Sequence, residues 1–173
     1  DWNNGNRTIL VDPLLTGLVV GQTLHTTPAE LYRAAIEATA FGALTIIEQI
    51  EAYGPKVESV VNCGGIAEKS ELVMQIYADV IGRPMKVSRS SQTCALGSAI
   101  FGAVVGGAYP NAESAQDAMT GVKDKIYTPD PAAHAVYRRI FGLYRQLHDG
   151  FGRPGSSELG QVMKELISIR EEA

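Results

Sequence analysis

The sequence predicts an α/β fold, with helices packed on a small, mainly parallel sheet, and three observations carry that expectation. A short β-branched run over residues 57–63 ends in Gly64-Gly65 and leads into an amphipathic stretch. A second such run, Met85–Ser88, leads into another helical pattern, and alternation of this kind marks βαβ units. The length of 173 residues fits one globular domain and is enough to bury a core without a disulfide or metal.

Each element has its own signal. Residues 1–27 read as irregular, with a short strand over 17–23. Thr27-Pro28-Ala29-Glu30 combines a capping box with proline at the first helical position and so starts a helix. Leu31, Ala34, Ala35, Ala38, Phe41 and Ile46 recur at helical spacing along it, and Gly54-Pro55 stops it near Tyr53. The spacing of Leu72, Val73, Ile76, Tyr77 and Val80 predicts a helix over 70–81, closed by Gly82-Arg83-Pro84. Thr93 is expected to cap a third helix, ending near Gly106-Gly107. Along it Ala95, Ala99, Ala103 and Gly107 form one small-residue stripe and Ser98, Gly102 and Gly106 another. Gly102 costs about 1 kcal/mol against alanine inside a helix, which close approach of a neighbour would offset. Asn111 and Asp130-Pro131 cap helices over 112–119 and 131–150. Residues 1–152 are expected to form one domain portion, with 153–173 a linker and terminal amphipathic helix.

Composition limits the partners. A net charge of −4 gives no general attraction to polyphosphate, so nucleic acid is not an expected partner. Arg138, Arg139 and Arg145 read as one solvated helix face. The longest uncharged stretch, residues 90–112, holds too many polar residues and glycines for a membrane span. Cys63 and Cys94 stand in apolar company without ligand spacing, which predicts free buried thiols in a reducing cytoplasm. His25, His134 and His148 are scattered, with the last two expected half-exposed on a helix. No catalytic triad and no metal-ligand spacing is seen. Asp12 before Pro13 reads as a turn residue. The polar run Trp2-Asn3-Asn4-Gly5-Asn6-Arg7 is either a surface loop or a substrate or interface contact.

The segment with mechanistic content is Asn62-Cys63-Gly64-Gly65-Ile66-Ala67-Glu68-Lys69-Ser70. A strand enters a glycine pair, which leaves no Cβ in the way of a ligand near the backbone. A following helix start would offer unpaired N–H groups, with Lys69 and Ser70 as added donors. Strand–Gly-Gly–helix is also how an ordinary βα connection is built. The segment is neither GxxxxGK[ST] nor GxGxxG.

Taken with the stretch through Pro84, this segment resembles the adenosine-binding segment of the FGGY carbohydrate kinases. Gln92-Thr93-Cys94-Ala95-Leu96-Gly97-Ser98-Ala99 resembles that family's partner helix. Trp2-Asn3-Asn4-Gly5-Asn6-Arg7 and Glu37-Ala38-Thr39-Ala40-Phe41-Gly42 are most similar to its pentulose-phosphorylating branch. The resemblance covers residues 1–150. It implies part of an actin-like (ribonuclease H-like) ATPase domain, from an enzyme that closes over a sugar and ATP with Mg²⁺ and transfers the γ-phosphate to a sugar hydroxyl. Carried over by residue, Gly64, Gly65 and Ile66 would line adenosine and the α-phosphate. Lys69 and Ser70 would stand near the nucleotide, and Gly97 would lie on the helix beside its cleft. Ser70 stands where relatives often have Asn, which weakens a direct base contact there.

The general base, the Mg²⁺ ligands and the sugar domain have no counterpart in these residues. The chain is therefore expected to be an adenosine-side piece of a larger cytoplasmic enzyme, with no catalytic or metal residue of its own and inactive alone. Exposed sheet edges would favour a homo-oligomer. A xylulokinase- or glycerol kinase-like member, or a non-enzymatic nucleotide-binding module, is the alternative.

Overall fold

The computed structural model describes residues 1–172. Its elements are α1 (Pro28–Ala52), β1 (Val60–Asn62), α2 (Gly65–Lys69), α3 (Glu71–Ile81), β2 (Met85–Ser88), α4 (Thr93–Val105), α5 (Ala112–Met119), β3 (Val122–Tyr127), α6 (Pro131–Gly152), a 3-10 turn (Glu158–Gln161) and α7 (Val162–Glu172). Ala173, the last residue of the expected terminal helix, lies outside the described residues. The chain divides into two compact units, Val57–Pro131 and Asp1–Lys56 with Ala132–Ala173.

The unit Val57–Pro131 is built on a three-stranded sheet in the order β1-β2-β3. β1 runs parallel to β2, with Val60 opposite Met85, and β3 runs antiparallel to β2, with Met85 opposite Tyr127. The sheet is mixed rather than mainly parallel because of β3, which charge conceals in the sequence Val-Lys-Asp-Lys-Ile-Tyr. Its alternating Lys123 and Lys125 reach Glu68 on α2 and Glu71 on α3. β1 is shorter than the 57–63 run.

Ser70 caps α3, accepting from the Val73 N–H at 3.3 Å, and Gly82 ends it in the left-handed region at φ 70°. Met74, Ile76, Val80 and Ile81 are buried, whereas Leu72 of the expected inner face is 49% exposed. Buried Asp79 accepts from the Asp130 N–H at 2.8 Å, which ties α3 to the segment that leaves β3. Gln92, not Thr93, holds the cap position of α4. α4 packs against α5, but not closely at Gly97 or Gly102 of its small stripes. Ala95, Ala99 and Gly102 are exposed, and a Cβ built on Gly97 or Gly102 touches nothing within 4 Å.

In the other unit, α1 starts in the expected capping box. Thr27 Oγ1 accepts from the Glu30 N–H at 3.3 Å while Glu30 Oε2 accepts from the Thr27 N–H at 2.7 Å. Only the C-terminal half of α1 is buried, through Phe41, Leu44 and Ile47, and Leu31 is exposed. α6 packs here through aromatic rings. Phe41 lies 6.1, 5.9 and 5.4 Å from the rings of Tyr137, Phe141 and Tyr144. The Tyr137 hydroxyl donates to Glu37 at 2.7 Å and accepts from Arg33 at 2.9 Å. Arg138 and Arg145, expected on a solvated face, both reach Glu48.

Residues 17–23 form no strand, since an apolar run needs a partner ladder, and Val19 and Val20 are exposed. Trp2, by contrast, is buried with Leu15 and Met163, and Leu10 and Phe151 pack around them. The polar run it heads is therefore not simply a surface loop. Gly5 turns at φ 71°, and Asn6 and Asp12 exchange backbone hydrogen bonds at 2.9 Å, closing the loop between them. Asp12 accepts from the Leu14 N–H, the expected turn role, and also pairs with Lys164.

His148, expected to be half-exposed, is 2% exposed, because the Trp2 ring stands edge-on to it at 5.2 Å. Burial holds its imidazole below the ordinary 6.5, although Asp149 partly opposes this. A histidine depressed in the folded state contributes stability that is complete above its unfolded pKa and is lost as pH falls through the folded value. The melting temperature is thus expected to fall between about pH 7 and pH 5, above the carboxylate range, and to fall less in His148→Phe. Equal slopes for the two proteins would contradict this. Among the described residues no helix is long and apolar enough to cross a membrane.

Candidate functional site

The glycine turn follows β1 directly. Gly64 sits at φ 90° and ψ 172°, a backbone region essentially reserved for glycine, and caps α2. Its carbonyl accepts from the Glu68 N–H at 3.2 Å, and the Ile66 carbonyl accepts from the Ser70 N–H at 3.0 Å. Gly65 opens α2 without a positive φ, and a Cβ built on either glycine meets nothing within 4 Å. Ile66 projects its side chain to solvent at 71% exposure, an apolar surface beside an open backbone.

The helix after the glycines is not the 70–81 helix but the five-residue α2, so Lys69 and Ser70 lie at its C-terminal end. Lys69 is exposed there, and the Ser70 oxygen is engaged in capping α3. A one-turn helix also supplies only a weak dipole. Polar donors at the turn are therefore backbone groups more than side chains.

A cleft of about 170 Å³ opens beside the turn, lined by Asn62, Cys63, Ile66, Val73, Met74 and Tyr77 among others. Ile66 is the one predicted site residue that enters it. Gly64 and Gly65 flank it in sequence, and Gly97 lies on α4 outside its lining. Val73 and Tyr77 had no local signal of this role, because the fold alone brings the strand end over the first turns of α3. The Asn62 amide donates to Met74 Sδ at 3.4 Å, which turns it inward. Cys63 and Cys94 are free as expected but exposed rather than buried, Cys63 on the strand-end loop and Cys94 in the first turn of α4.

The strain at Gly64 makes a local prediction. Gly64→Ala should lose about 1–3 kcal/mol, the usual cost of a forced backbone conformation, read as a lower urea midpoint with unchanged slope. An unchanged midpoint would mean the turn relaxes freely.

Helices on a small mixed sheet, with a glycine turn at a strand's carboxyl end, define a domain of the actin-like ATPase class that sugar kinases use. The chain belongs to the FGGY family of carbohydrate kinases, and residues 1–106 match the C-terminal domain of that family. It is similar to the ribulokinase of Halalkalibacterium halodurans, 44% identical over 174 residues, which covers 98% of the chain and 31% of the relative. It is 45% identical to the ribulokinase of Mycolicibacterium smegmatis, over 100% of the chain and 30% of that relative. In structure it resembles the xylulose kinase of Lactobacillus acidophilus, with a TM-score of 0.77 at 23% identity over 88% of the chain and 31% of that structure. The chain thus spans a little under a third of the length of the relatives it matches.

Proposed function

We propose that the chain is the adenosine-side portion of an ATP-dependent kinase that phosphorylates L-ribulose to L-ribulose 5-phosphate in arabinose breakdown. The observation that carries this is the open Gly64-Gly65 turn after β1, in a chain 44% identical to ribulokinases across almost its whole length. Gly64 and Gly65 let the adenosine and α-phosphate lie against the backbone, where any larger residue would stand between them. Ile66 offers the adenine an apolar face, and Asn62 and Tyr77 bound the cleft beside it. Lys69 and Ser70 act at most at the edge of the nucleotide, and Gly97 acts by leaving α4 narrow.

Bound Mg²⁺ would neutralise charge developing on the transferred phosphoryl group. The residues present do not fit such a site. Among the described residues no group of three His, Cys, Asp or Glu side chains could hold a metal ion. The metal ligands, the general base and the pentulose contacts are assigned to the remainder of the parent protein, and the chain alone binds without catalysing. Cytoplasmic location and homo-oligomeric assembly complete the proposal.

The test has two arms. A coupled assay of the full-length protein with ATP should show L-ribulose as the preferred acceptor over D-xylulose and glycerol, and preference for another acceptor would overturn the sugar assignment. With the chain alone, ADP or ATP at 100 times its Kd should add about 2.7 kcal/mol of stability. No rise in melting temperature at any soluble nucleotide concentration would overturn the site.

A further inference from the structure

The helix that carries the glycine turn has little of its own to fix where it sits. α2 is five residues long, far short of the length at which an isolated helix is stable. Gly64 brings no side chain to cap it, and of its residues only Ala67 is buried. α3 is held quite differently, capped by Ser70 and anchored by buried Met74, Ile76, Val80 and Ile81. A contact of modest strength therefore weighs more on α2 than on α3.

β3 supplies such a contact. β1 and β2 run parallel and β3 runs back against them, pairing Val122 with Ser88. The start of β3 thus lies at the end of the sheet where β1 delivers Gly64. There Lys123 Nζ stands 2.8 Å from Glu68 Oε1 on α2, and its hydrogen bond holds the Glu68 carboxyl below the ordinary carboxylate range. Lys125, two residues on, pairs instead with Glu71 in the first turn of α3, and its Nζ lies 4.9 Å from the centre of the Tyr127 ring. Lys123 and Glu68 do not line the cleft of about 170 Å³, but Ile66 and Ala67 of the same short helix do. Whatever fixes Glu68 also fixes the open backbone at Gly65 and the apolar surface of Ile66.

We propose that Lys123 is a positioning residue for the nucleotide site, setting the place of Gly65 and Ile66 through Glu68. This rests on the reading of the glycine turn as the adenosine site. Lys125 has no such role, because the core already holds α3.

The test is the Kd for ADP of the full-length protein, measured by calorimetry. Lys123→Glu sets two carboxylates against each other and should weaken ADP about threefold, the scale of an exposed ion pair. Glu68→Lys should weaken it to a similar degree although it adds a positive charge near the site, whereas simple attraction of phosphate would tighten binding. The exchange of both charges, Lys123→Glu with Glu68→Lys, restores the pair and should recover most of the lost affinity. Lys125→Glu, which places the same charge on the same strand, should leave the Kd unchanged. Surface substitutions of this kind move the urea midpoint little. Should a charge reversal fail to fold, Lys123→Gln removes only the charge and should weaken ADP in the same direction.

An unchanged Kd in the Lys123 and Glu68 variants would overturn the proposal. So would tighter binding in Glu68→Lys, no recovery in the exchange, or an equal loss in Lys125→Glu. Gly65→Val separates this from failure of the site itself. Lost ADP binding there, with none lost in Lys123→Glu, leaves the site standing and removes Lys123 from it. Normal ADP binding in Gly65→Val removes the site, and the positioning role falls with it.

Discussion

Trp2→Ala is expected to destabilise the chain by about 3 kcal/mol. Truncation of a buried tryptophan costs about 3–5 kcal/mol in transfer and cavity terms. Trp2 also carries a buried N–H without a partner, and its removal returns part of that cost, which places the effect at the lower end. The loss is large against the roughly 5–15 kcal/mol of a whole domain. It is large because the ring joins segments far apart in sequence, with Leu15, His148 and Met163 all packing against it or within its cluster. Urea unfolding followed by circular dichroism reads it directly. Trp2→Phe, which keeps most of the apolar contact and removes the orphan donor, should lose less than half as much. Equal losses for the two variants would mean that cavity volume does not set the cost.

Gly65→Val should abolish the nucleotide response while leaving the fold intact. Gly65 has no positive φ and a Cβ there meets no atom within 4 Å, so the chain tolerates the side chain. Valine in a helix costs less than glycine, which makes the folded state if anything slightly firmer. Branched methyl groups would then occupy the space where the adenosine approaches the backbone. In the full-length protein the KM for ATP should rise at least about tenfold, equivalent to 1.4 kcal/mol, with the KM for the sugar little changed. An unaltered KM for ATP would remove Gly65 from the site. The contrast with Gly64→Ala is informative, because that substitution acts through backbone strain and this one through occupied space.

Local chemistry made some elements legible in the sequence. Thr27-Pro28-Ala29-Glu30 and Gly54-Pro55 bracket α1 to within a residue or two, and Asn111 starts α5 as expected. These signals act over three or four residues, so no tertiary information is needed to interpret them. Three other features depended on partners distant in sequence. The charges of β3 suggest a loop until Lys123 and Lys125 find Glu68 and Glu71. Leu18-Val19-Val20 suggests a strand but has no ladder to join. Trp2 and His148 carry polar atoms, and mutual packing buries them. At the candidate site the glycine pair was legible, and the helix that follows it was not. Nothing local separates the five residues of α2 from the start of α3 except the extended backbone at Ser70.

β3 contributes no residue to the glycine turn, yet its Lys123 holds Glu68 at 2.8 Å, three residues beyond Gly65. The short helix carrying Gly65 and Ile66 is therefore tied to the far edge of the sheet by a solvent-facing ion pair. Such a tether weakens with ionic strength. Salt would loosen the turn without reaching the core, and nucleotide affinity and global stability would part company as it rises.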